Sequence, residues 1–177
     1  MLRFLRCLLL PALVVASPSQ ADSNDYAQIG DWGITRTTHN SCYALLIYEE
    51  ISLAVEYDAK DGHVLLFLGN KNATSLTDNQ KVKLEILFTR GGRVDDGWGE
   101  QEFTAHVDES GTPLFSSNGW FSTEMLDDIA KNDYFMVMNG DKLVSGAKLQ
   151  QSAALVSKLR ECSMKAANLN PKDPFLH

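Results

Sequence analysis

A cysteine at the end of an amphipathic helix limits the fold of this chain more than any other feature. Leu143 to Cys162, LVSGAKLQQSAALVSKLREC, reads as a last strand running into a helix. Leu155, Leu159 and Cys162 fall at i, i+4 and i+7, one stripe of a helix, so the cysteine points where the leucines point. The chain has 3 cysteines. Cys7 belongs to an N-terminal leader, which leaves Cys42 as the partner. A Cys42–Cys162 disulfide would tie the last helix to an early strand. Closing a loop of that size is worth ~4–5 kcal/mol in the chain-entropy model.

The leader is an export signal. Arg3 and Arg6 make a positive start, and CLLLPALVVA (residues 7 to 16) is a short apolar run. Ser19-Gln20-Ala21 supplies small residues where a signal peptidase reads, so residues 1–21 are expected to be cleaved. The apolar run is far shorter than the ~20 residues of a membrane span. The signal reads as bacterial, which places the mature chain in the periplasm or outside the cell. Both compartments favour disulfides. Residues 22–29 read as a flexible leader, 30–167 as one β-rich domain, and 168–177, with Pro171 and Pro174, as a disordered tail.

Between these ends, apolar and polar residues alternate with period two. Trp32 and Ile34, then Cys42, Ala44, Leu46 and Tyr48, then Leu53, Val55 and Tyr57 each fall on one strand face. Asp61-Gly62 and Asn139-Gly140 are hairpin turns. HVLLFL (residues 63 to 68) is apolar on both faces and belongs in the middle of a sheet. Val82, Leu84, Ile86 and Phe88 alternate with Lys81, Lys83 and Glu85. Phe103, Ala105 and Val107 do the same further on. Ser122 reads as the cap of a short helix over 123–131. The fold expected is mainly β (α+β): an antiparallel β-sandwich or half-barrel of about nine short strands, with a short inserted helix and a C-terminal helix packed on the sheet.

The chemistry-bearing residues are sparse. His39, His63, His106 and His177 have no second histidine or cysteine at metal-ligand spacing, so no metal or cofactor is expected. There is no Gly-x-Ser-x-Gly elbow and no phosphate loop. The formal net charge is −7, and it grows more negative once Arg3 and Arg6 leave. An acidic chain without a basic cluster is a poor partner for nucleic acid.

Two features remain. Asp95, Asp96 and Glu100 flank Trp98 in a stretch, 93 to 99, that reads as a loop. Clustered carboxylates beside an aromatic ring would suit a glycan or cell-wall hydrolase. Trp98 and Trp120 both stand among glycines and are candidate contacts with a partner. The favoured expectation is an exported, non-catalytic binding or accessory module that engages an envelope or secreted protein through these loops.

The strand ending in Lys148-Leu149, followed by Gln151-Ser152-Ala153-Ala154-Leu155 and closing on Leu159-Arg160-Glu161-Cys162, resembles the end of small secreted bacterial β-domains of the invasion-associated locus B type. The Asp31-Trp32 strand followed by Cys42 is similar to their first strand. The resemblance implies an exported β-sandwich without known catalysis. A glycine is usual there where this chain has Gln151 or Ser152.

Overall fold

Period-two alternation sets the architecture. The structure, a computed structural model, describes residues 25–47, 51–73, 75–107 and 111–169, apart from the side chain of Asp96. The expected export signal, residues 1–21, and the last eight residues of the expected tail lie outside these, as does Tyr48. The elements are β1 (Asp25–Ile29), β2 (Trp32–Arg36), β3 (Cys42–Ile47), β4 (Ile51–Asp58), β5 (His63–Asn70), β6 (Lys81–Arg90), β7 (Arg93–Val107), β8 (Pro113–Ser117), α1 (Glu124–Lys131), β9 (Tyr134–Asn139), β10 (Lys142–Lys148) and α2 (Ser152–Ala166).

The strands form one ten-stranded antiparallel sheet in the order β1-β2-β3-β4-β5-β8-β7-β6-β9-β10. It curls so that β10, at one edge, comes back beside β4 and β5. This is the half-barrel alternative. The alternating residues fill its interior: Ile34, Ala44, Val55 and Leu66 from the first strands, Ile86, Phe103 and Val137 from the others. The 63–68 run is central, in the fifth strand of the order, but only Val64, Leu66 and Leu68 are buried; Phe67 faces out.

Helix α2 packs against β1 to β4 and against α1. Leu155, Leu159 and Cys162 are buried as one stripe, joined by Val156 and Ser163. Cys162 bonds Cys42, with S–S 2.06 Å and Cα–Cα 6.0 Å. Ser163 makes a second tie beside it. Its hydroxyl donates to the Tyr57 carbonyl at 2.7 Å and accepts the Ala59 N–H at 2.8 Å. Tyr57 lies opposite Cys42 in the β3–β4 register, so both ties hold the same end of the sheet.

Three local expectations are corrected. Asp25–Ile29, read as part of a loose leader, is the strand β1. Its ladder with β2 and the bond from Tyr26 Oη to Glu161 Oε1, at 2.8 Å, hold a segment too polar to look like a strand. Residues 93–99, read as a loop, belong to β7. Gly91 and Gly92, at φ 56° and 77°, make the hairpin turn that lets the strand continue. Ser122 does not cap α1: Thr123 stands at the N-cap without a side-chain bond, and the Ser122 hydroxyl turns to Glu124 at 3.3 Å.

Candidate functional site

The two tryptophans have opposite fates, and local backbone geometry decides each. In the β6–β7 ladder, Ile86 pairs with Gly99 and Leu87 with Gly97, so Trp98 is the extra residue of a bulge. A bulge re-aims the side chain it carries. Trp98 turns onto Phe121, with ring centroids 5.4 Å apart and planes at 82°. Its Nε1–H donates to Asp128 Oδ2 at 2.6 Å. Asp128 is buried, and its other oxygen meets Lys131 at 3.0 Å. Trp98 therefore ties β7 to α1.

Trp120 is 59% exposed. Phe121 forms an isolated bridge with Val64, and both side chains point into the core. Their neighbours Trp120 and His63 meet outside, rings stacked at 4.8 Å and 19°. One face of the indole rests on the imidazole; the side chain is otherwise open.

An open groove of about 640 Å³ begins beside this stack. Gly62 and Thr123, which line it, lie next to His63 and close to Trp120 in the chain. Arg160, from α2, crosses it and donates to Asp127 Oδ1 at 2.8 Å and to the Thr123 carbonyl at 3.5 Å. Lys60 and Asp61 add charge from the β4–β5 turn, and Met164 and Leu169 make an apolar side. Tyr57 also lines the groove; burial raises its hydroxyl pKa above the ordinary value, and Arg160 opposes the rise. The lining mixes both charges with apolar side chains, a mixture suited to holding a surface.

The acidic run is spread along an extended strand. Asp95 is the extra residue of a second bulge, between the Phe88–Asp96 and Thr89–Val94 pairs, and is exposed. Glu100 is exposed and stands 4.0 Å from Lys83. Neither lines the groove. The neighbouring Glu102 is held below its ordinary pKa by hydrogen bonds from Lys81 and Asn118. His39 and His106 are exposed. Among the described residues no three His, Cys, Asp or Glu side chains gather as a metal site, and no helix is long and apolar enough to cross a membrane.

The groove residues Tyr57, Lys60, Asp127 and Arg160 were not legible as a set. They come from a strand, a turn and two helices, and no spacing in the chain announces such a meeting. No protein-family model, curated protein or solved structure matches the chain.

Proposed function

We propose that the chain is an exported, non-catalytic binding module, resembling the invasion-associated locus B type, that engages a protein partner through Trp120 and the groove beside it. The observation that carries this reading is an exposed indole stacked on His63, the first residue of β5. Trp and Arg are the side chains that most often dominate protein interfaces; here Arg160 lines the open groove, and Trp120 stands three residues before Thr123, which lines it too. A rigid anchor loses little freedom on binding. The disulfide is in keeping with a periplasmic or secreted location. The hydrolase alternative, on Asp95, Asp96 and Glu100, has less support, because Asp95 and Glu100 stand in solvent away from the groove.

The test is capture from an envelope extract with the wild-type chain and with Trp120→Ala. A partner held by the first and bound about 30-fold more weakly by the second supports the reading. Identical capture by both chains, or none by either, counts against it.

A further inference from the structure

We propose that a second cleft, at the other end of the half-barrel, binds a medium-chain aliphatic carboxylate. It lies between Asn72, Ala73, Ser75 and Leu76 on one side and the tip of the β9–β10 hairpin on the other, and holds about 380 Å³. That is within the usual range of small-molecule sites, and barrel mouths are a common place for them. The floor is Leu84 and Phe115, both part of the buried core. Leu76 and Val82 form one wall, and Leu143, 56% exposed, stands with Val144 on the other. An apolar chain entering here would cover side chains that otherwise meet water.

The cleft is preformed by a built device. β10 carries a bulge at Val144, between the Leu143–Met138 and Ser145–Val137 pairs. The Val144 carbonyl accepts from Asn70 Nδ2, while Asn70 Oδ1 accepts the Asn72 N–H at 2.8 Å. One side chain thus clamps both walls. A cleft held in shape by its own hydrogen bonds costs a ligand less to enter.

Charge chooses the head group. Among the described residues Lys142 is the only charged side chain that lines the cleft, and it has no ion-pair partner among them. Asp141, next to it in the turn, is not among the lining side chains. In a chain of net charge −7, this cleft sets an apolar floor of Leu84 and Phe115 and apolar side chains in both walls beside a positive rim. The ligand that fits is an apolar chain ending in a carboxylate, with the Asn139 amide also lining the cleft.

Calorimetric titration of the full chain with decanoate and with 1-decanol, below their aggregation limits, tests this. Decanoate should bind one per chain and shift the backbone amide resonances of Val82 and Val144. Lys142→Glu, an exposed turn change, should weaken decanoate about tenfold and leave decanol unchanged. Leu76→Trp, which fills the cleft, should abolish both, with its folding checked by circular dichroism. The proposal is overturned if decanoate gives no heat, if decanol binds the wild-type chain as well as decanoate does, if folded Leu76→Trp binds as before, or if the shifted amides surround Trp120 instead. The result is independent of the protein-partner reading, which concerns the opposite end of the sheet.

Discussion

What surrounds each indole nitrogen tells the two tryptophans apart. Trp98 donates to a buried carboxylate, whereas Trp120 rests on an imidazole with its edge in water. Truncation should separate them. Trp98→Ala removes packing on Phe121 and leaves Asp128 with one partner fewer, so a loss of about 2–3 kcal/mol is expected in urea unfolding. Trp120→Ala removes only an exposed stack and should cost about 1 kcal/mol or less. Gln151 offers a second residue-scale test. It precedes α2 at φ 57°, a left-handed conformation that side chains with a Cβ resist. Gln151→Gly should therefore leave stability unchanged or raise it by up to about 1 kcal/mol, read from the same unfolding curves.

At the scale of the element, α2 is held from several sides. Its leucine stripe covers the sheet, Cys162 and Ser163 fix one flank, and Glu161 fixes the other. Glu161 accepts hydrogen bonds from Lys158, Lys165 and Tyr26, in that order of effect, which hold its carboxyl at about 2 against an ordinary 4.5. A folded-state pKa below the unfolded one stabilises at higher pH. The contribution is complete above pH 4.5 and fades as pH falls toward 2. Glu161→Gln should therefore be less stable than wild type at neutral pH, and the gap should close across that window in acid titrations of the melting temperature. Because the carboxylate is partly exposed to solvent, the gap should also shrink in high salt. Strand β7 teaches a different lesson. Its glycines looked like a loop, but Gly97 and Gly99 are the pairing residues around a bulge. Glycine inside an alternating strand signals a bulge as well as a break.

Over the whole molecule, one long-range bond fastens α2 to the sheet at β3. Cys42 and Cys162 are 120 residues apart. Replacing both with alanine should cost about 4 kcal/mol in denaturant unfolding, the loop-closure effect less relaxation. Wild type under reducing conditions should show a similar loss, since it lacks the same constraint. The mainly antiparallel fold, the inward stripe of α2 and the pairing of Cys42 with Cys162 were all legible in the chain. Each follows from local periodicity, or from having one other cysteine to pair with. Strand β1 was not, because its partners lie in β2 and α2 and its own residues are polar. The separate fates of Trp98 and Trp120 were not legible either. Both sit among glycines, and their surroundings are set by a bulge register and by an isolated bridge from β5 to Phe121. The same holds for the groove at Arg160 and for the cleft beneath Leu143. Alternation along a strand says which side chains face the core. Which strands lie side by side, and so which side chains meet outside it, depends on pairing across the folded chain.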